Sequence, residues 1–384
     1  MHITQVNLKN WRNFRTVDAS LGLRAFVIGP NASGKSNFLD AFAFLKDIVK
    51  RGGGLQQAVT DRGGIGKIRC LAARQEPDVE IAIVISENSN TNNTWKYVIG
   101  ITQQTFGNRL TLLTHEKVFY NDQLLLDRPN EKDKQDPILM TQTHIEQISA
   151  NASFRPIETF FNSIQYQHLV PQLLKHPEAF TGKSLPGDPY GKNFLERVSR
   201  SPEPTRKSRL KKIEAALRIA VPQLKDLTDV KDETGVPHLE AVYQHWRRSG
   251  AKQREDQFSD GTLRLIGLLW TLLESDSLLL VEEPELSLNT GIIKQLPALM
   301  FQLQKEKKRQ ILISTHSYEL LSDRSIAAEE VILLTPNEEG TTVQIASTLK
   351  DVKDLLEAGM SIGEAALPKT NPKDIRQLSL VGMD

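Results

Sequence analysis

The sequence predicts an α/β protein on a mixed, largely parallel sheet, with an antiparallel β subdomain, a small helical insertion and no long coiled coil. Three observations carry that expectation. An apolar strand at Ala25–Ile28 runs into the glycine-bearing segment Gly29–Ser36 and then into Phe38, Phe42, Leu45 and Val49 at helical spacing through Lys50. From Gln257 to Leu334 helical stretches alternate with short apolar strands, as a parallel sheet requires. Between these two regions, β-rich runs separated by polar turns read as hairpins.

Taken in order, Ile3, Val6 and Leu8, the segment Trp11–Phe14, and Val17, Ala19 and Leu21 keep a period of two, which predicts an opening antiparallel pair. Val79–Ile85 and Trp95–Ile101 flank the polar turn Asn88–Thr94, and Leu110–Tyr120 with Leu124–Leu126 extend the hairpins. Asn130–Asp136 is charged and reads as an exposed loop. Signals from Thr141 to Leu227 are mainly helical, broken by Pro171, Pro177, Pro186 and Pro189 and by the polar stretch Ser199–Ser208, without sustained heptads. Past Gln257 follow a helix, a strand at Leu278–Val281, a helix near Gly291–Gln304, and strands at Gln310–Ser314 and Glu330–Leu334. The expected organisation is an N-terminal lobe over 1–140, a helical insertion over 141–256 and a C-terminal lobe over 257–384.

Hydrophobic content of 39% and charged content of 25% exclude wholesale disorder and fibrous classes. A net charge of +1 gives no global reason to expect a polyanionic partner. The single cysteine, Cys70, excludes an intrachain disulfide and a multi-cysteine zinc site, and reads as a buried apolar residue. Met1–Leu8 alternates polar and apolar residues, unlike a secretory signal, so a cytoplasmic protein is expected. The most apolar stretch, Leu265–Leu273, is far shorter than the roughly 20 residues that span a bilayer, so no membrane partner is expected.

The chemistry concentrates in two places. Gly29, Pro30, Asn31, Ala32, Ser33, Gly34, Lys35 and Ser36 match the phosphate-loop pattern at every defined position, between a strand and a helix. Such a loop wraps phosphate with backbone N–H groups, Lys35 reaches the β and γ phosphates of ATP, and Ser36 holds Mg2+. The apolar strand Leu278–Val281 ends in Glu282 and Glu283, suited to organising the metal and polarising the attacking water respectively. Phosphate-loop NTPases usually carry aspartate where Glu282 stands.

Phe258, Ser259, Asp260, Gly261 and Thr262 open the next helix upstream, and here the chain resembles the ABC ATPase superfamily. The transporter signature reads Leu-Ser-Gly-Gly-Gln; Ser259 and Gly261 are kept and Asp260 replaces the first glycine. The resemblance implies that Ser259 and the backbone at Gly261 contact the γ-phosphate of ATP on another subunit, giving a head-to-tail homodimer. Serine at a helix start is equally ordinary capping chemistry. His316, after the strand Ile311–Ile313, matches the switch histidine of the superfamily, which touches the γ-phosphate. Asn289 and Thr290 stand where members usually carry histidine and proline, and Gln172 is the candidate for the glutamine loop.

Met1–Lys50 and Gln257–Leu334 resemble the RecF, SMC and OLD branch, and the run Glu282-Glu283-Pro284-Glu285 with the ending Asp354–Gly359 is most similar to the compact AAA-21 or OLD-like ATPases. The stretch after His316 is too short for the Toprim nuclease domain of OLD proteins. The resemblance implies a slow ATPase that senses or scaffolds, holding a separate nuclease-like effector as in defence systems of the PARIS and Septu kinds, with assembly beyond the dimer left open. The alternative is a RecF-like DNA-binding repair ATPase, for which Arg206, Lys207, Arg209, Lys211 and Lys212, and Trp246, Arg247, Arg248, Lys252 and Arg254, form candidate phosphate-binding clusters.

Overall fold

The computed structural model describes residues 1–73, 78–87, 93–104, 109–180, 188–244 and 250–371. Trp246, Arg247 and Arg248 of the second basic cluster, Pro186, and residues 88–92 of the expected turn lie outside the described residues. Along the chain the strands are β1 (His2–Trp11), β2 (Phe14–Ser20), β3 (Arg24–Ile28), β4 (Val79–Ser86), β5 (Thr94–Gln103), β6 (Thr111–Tyr120) and β7 (Gln123–Arg128). They continue as β8 (Gln165–Gln167), β9 (Leu224–Lys231), β10 (Pro237–Tyr243), β11 (Ala251–Arg254), β12 (Leu279–Glu282), β13 (Ile311–Ser314), β14 (Val331–Asn337) and β15 (Gly340–Ile345). The chain divides into two compact units: Met1–Ile164 with Arg309–Asp384, and Gln165–Lys308.

The first unit holds a six-stranded antiparallel sheet in the order β2-β1-β4-β5-β6-β7. Its register places Val6 opposite Ala19 and Leu8 opposite Val17, so the period-two residues of the opening pair share the buried face. The expected opening pair and hairpins thus join one sheet. A second group of strands runs β15-β14-β3-β13, with β3 parallel to both neighbours. Every residue of β3 is buried, as a strand covered on both faces demands.

The helix Lys35–Val49 buries Phe38, Leu39, Phe42, Phe44, Leu45 and Ile48, large side chains worth roughly 1.5–3 kcal/mol each on burial. Trp11 packs 5.2 Å from Phe44 and Phe14 lies 6.3 Å from Phe38, so the β1–β2 turn is anchored on this helix. The Gln310 side chain closes the unit: it accepts from Ile3 N–H at 2.8 Å and donates to the carbonyls of Ile3 and Gly22 at 2.7 and 2.8 Å. The charged stretch Asn130–Asp136 departs from an exposed loop. It forms the short helix Glu131–Gln135 capped by Asn130, and its Asp133 is buried because Arg128, itself buried, binds it at 2.7 Å.

The second unit holds the parallel pair β12-β8, with Val281 opposite Gln167, and a three-stranded antiparallel sheet in the order β11-β10-β9. β9 begins inside the stretch whose pattern reads as helical. The helix Asp260–Glu274 is buried along most of its length, including Leu263, Leu265, Ile266, Leu269 and Trp270. Among the described residues the longest helix is Glu203–Ala220, 18 residues and too short for a coiled-coil arm, and no helix is long and apolar enough to cross a membrane.

Candidate functional site

The first unit carries the phosphate-loop segment. β3 ends at Ile28, the loop turns through Gly29–Gly34, and the helix starts at Lys35. Gly34 caps the helix at φ 98°, and a side chain there would collide with the Asn13 amide. A Cβ at Gly29 would lie 2.5 Å from Ser33 Oγ and 2.8 Å from Leu334 O, so neither glycine tolerates substitution. Ala32 holds φ 63°, a left-handed conformation that a non-glycine residue rarely adopts. Lys35 Nζ donates to the carbonyls of Gly29 and Pro30 at 2.9 and 3.2 Å, folding the ammonium back over the loop. Ser33 is buried with an unpartnered Oγ, whereas Asn31, Ala32 and Ser36 are exposed.

Asn13 braces this loop. Its amide donates to Ser33 O at 2.7 Å and to Thr341 Oγ1 at 2.7 Å, while its carbonyl oxygen accepts from Asn37 at 2.8 Å. In the sequence the Trp11–Phe14 segment is visible as part of the opening strand pair; its mechanical role depends on partners up to 328 residues away. Beside the brace opens a cleft of about 1340 Å³, bordered by Asn13, Arg15, Asn37, Lys67, Arg69 and Glu338. His316 belongs to the same unit. β13 lies parallel to β3 with Ser314 opposite Val27, and Thr315 N–H donates to Val27 O at 3.1 Å. The exposed His316 therefore sits just past the carboxyl end of the strand next to the one that feeds the loop, the edge where parallel sheets place ligands.

The second unit carries the carboxylates and the signature-like segment. Glu282 ends β12, is 9% exposed, and places Oε2 3.4 Å from His168 Nδ1 without hydrogen-bond alignment. Glu283 follows at φ 44°, a left-handed backbone conformation that a non-glycine residue rarely adopts. Ser259 is the N-cap of the helix Asp260–Glu274, its Oγ accepting from Thr262 N–H at 3.1 Å. Gly261 is required by close approach, because any Cβ there would run into the Ser287 carbonyl. Asn289 caps the helix Thr290–Ile293.

Asp260 has a defined occupation. Lys175 Nζ and Gln172 Nε2 both donate to its carboxylate at 2.8 Å, and the Lys175 hydrogen bond, ahead of opposing burial, holds its pKa below the usual value. The candidate glutamine Gln172 thus touches the signature-like helix directly. Gln167, His168, Lys175 and Arg264 were absent from the sequence reading, since nothing in their local pattern marks them. The first basic cluster is largely neutralised: Arg206 pairs with Asp229 at 2.7 Å, Lys207 with Glu203 at 2.6 Å, Lys212 with Glu306 at 4.0 Å, and Arg209 stacks on Trp270. Lys252 of the second pairs with Glu240 at 2.7 Å.

A family model described as "AAA domain, putative AbiEii toxin, Type IV TA system" matches residues 24–322, a span that includes the phosphate-loop segment and Glu282. The chain belongs to the AAA_21 family. Among solved structures, this AAA_21 chain is similar to an Smc head bound to the C-terminal winged-helix domain of ScpA, with TM-score 0.53, 14% identity, and coverage of 90% of this chain and 98% of that one. It is likewise similar to an Smc head with an extended coiled coil bound to the C-terminal domain of ScpA, derived from Pyrococcus furiosus, with TM-score 0.51, 14% identity, and coverage of 93% and 99%. No curated protein matches the chain. The AAA_21 chain therefore has the ABC-type ATPase head fold of the RecF/SMC group, without a long coiled coil among its described residues.

Proposed function

We propose that this chain binds and slowly hydrolyses ATP with Mg2+ in the cytoplasm, dimerises head to tail around the nucleotide, and uses that cycle to hold or release a separate nuclease-like effector in anti-phage defence. The observation that carries the reading is the phosphate-loop segment itself, held between β3 and its helix with Lys35 turned over the loop carbonyls and His316 at the neighbouring strand end. The residues fit the ligand. The loop offers N–H groups at a helix start, and Ser33 Oγ is buried without a partner.

In this reading Lys35 and the loop N–H groups would bind phosphate, and Ser36 and Glu282 would hold the metal. A magnesium ion there neutralises charge on the phosphates. Glu283 polarises the attacking water, and His316 contacts the γ-phosphate. Ser259 and Gly261 are offered to the nucleotide of the partner subunit. The family's printed description as a toxin-antitoxin component supports a defence role, and the Smc heads bound to ScpA domains are precedents for a head that holds a separate protein.

The test is the Glu283→Gln protein with ATP. It should retain ATP and convert from monomer to dimer by mass photometry while phosphate release stops; persistent hydrolysis would remove Glu283 from its assigned role. The DNA-repair alternative rests on the Arg206–Lys212 and Trp246–Arg254 clusters, whose described members are mostly ion-paired, and Arg12 and Arg15 beside the cleft are likewise paired, with Asp40 and Glu339. It predicts DNA binding that weakens steeply with salt, and absence of binding at low salt eliminates it.

A further inference from the structure

The helix Asp260–Glu274 and the strands β8 and β12 border a small cavity of about 20 Å³, lined by Gln167, Leu169, Arg264, Leu268, Glu282 and Pro284. Three buried polar atoms of these residues have no hydrogen-bond partner within the protein: Gln167 Oε1, Arg264 Nε and Glu282 Oε1. Gln167 and Glu282 are 7% and 9% exposed, so bulk water does not satisfy them. A buried polar group left unsatisfied costs about 1–3 kcal/mol. All three belong to residues that line this one cavity, where they can share a partner.

The size and chemistry select that partner. A water molecule needs a cavity of roughly 10–15 Å³, and buried waters typically make about three hydrogen bonds. The wall offers one donor, the Arg264 N–H, and two acceptors. A water accepts from the first and donates to both others, which completes all three. A metal ion suits the site poorly, because the Arg264 guanidinium shares the wall with the two oxygens.

We propose that a single water occupies this cavity and that, through it, Arg264 acts as a positioning residue for Glu282. The water fixes the rotation of the Glu282 carboxylate and joins the signature-like helix to β12. Asp260 and Arg264 lie four residues apart on one helix face, and Asp260 is held by Lys175 and Gln172. Opposite charges therefore alternate from Lys175 through Asp260 and Arg264 to the carboxylates after β12. Burial lowers the pKa of Arg264, but Asp260, Glu283 and Glu285 oppose that shift, consistent with a guanidinium retained for its carboxylate neighbours. A shift of the helix would be transmitted to Glu282 as a reorientation. The water itself is independent of the ATPase reading, whereas the role given to Glu282 rests on it.

The experiment has two arms. Crystals of the full chain grown with MnCl2 should show ordered density bonded to Gln167 Oε1, Arg264 Nε and Glu282 Oε1, with no manganese anomalous peak; an anomalous peak there, or an empty cavity, overturns the water site. In solution, Arg264→Met should raise the Mg2+ concentration giving half-maximal ATP turnover by about 10-fold while ATP affinity measured without turnover stays within about 2-fold, with Arg264→Lys partly restoring it. An unchanged Mg2+ dependence in a folded variant refutes the positioning role. Wild-type protein that neither binds nor turns over ATP refutes the ATPase reading instead, and leaves the cavity to be judged by its density.

Discussion

The phosphate-loop segment and the carboxylate edge are built by opposite means. Around Gly29–Ser36 most groups are bound to one another, the buried Ser33 Oγ and the left-handed Ala32 being exceptions: Lys35 rests on two loop carbonyls, Asn13 serves Ser33, Thr341 and Asn37, and Gly34 leaves no room beside Asn13. Around Glu282 the polar atoms of three separate elements meet at a small cavity with bonds left unmade, and Glu283 holds a left-handed backbone. The first region is a template set before any ligand arrives. In the second, the proposed water would make the orientation of Glu282 depend on the position of the helix Asp260–Glu274.

That contrast can be broken at several points. The largest effect should come from Lys35→Ala, which under the proposed function would remove charge-assisted hydrogen bonds to phosphate worth about 3 kcal/mol and should weaken ATP binding at least about 100-fold by calorimetry. Normal ATP affinity in that variant would mean that the loop is not the nucleotide site. Gly34→Ala comes next: strain at φ 98° and the collision with Asn13 should cost about 2–3 kcal/mol in urea unfolding, against less than about 1 kcal/mol for alanine at Gly66, which lies in the helix Ile65–Ile68 with open space around it and no positive φ. Equal losses would show that the loop is less braced than its contacts indicate.

The smallest effect is a pH dependence in the second unit. His238 Nδ1 lies 2.6 Å from Glu255 Oε1, and its Nε2 lies 3.5 Å from Asp232. Burial opposes its charge, but Glu255 and then Asp232 outweigh that and raise its pKa above 6.5. Because the folded pKa is the higher one, this stabilisation is fully present below pH 6.5 and is lost as pH rises through the raised value. His238→Gln should therefore cost about 1 kcal/mol more at pH 5.5 than at pH 8.5 in paired denaturant titrations. A pH-independent loss would make His238 a packing residue only.

The same contrast explains what the sequence made legible. Gly29–Ser36 could be read because its chemistry is contiguous, and the strands β3, β12, β13 and β14 because each is an apolar run between turns. The partners of Asp260 were invisible, since Lys175 stands 85 residues away and pairing over that distance is decided by tertiary structure. The reading noticed Asp260 only as a departure from a motif. β9 was lost for a local reason. Asp226 at φ 53° and a register shift opposite it put both Leu224 and Leu227 on the buried side, and that spacing of three imitates a helix.

The course of the chain through its two units also bears on how the protein is made. β3 forms its two pairings with strands that begin at Ile311 and Val331, and Gln310 seals the opening strand. At roughly 5–20 residues per second of synthesis, β3 leaves the ribosome about 15–60 seconds before either neighbour exists, fully apolar along Ala25–Ile28 and with both edges unpaired. The intervening second unit can mature while the first waits. Expression yield is therefore governed by what shields Arg24–Ile28 during translation, so slowing synthesis downstream of Ile28 or depleting nascent-chain chaperones should send this protein into aggregates more readily than a substitution that merely weakens the finished fold.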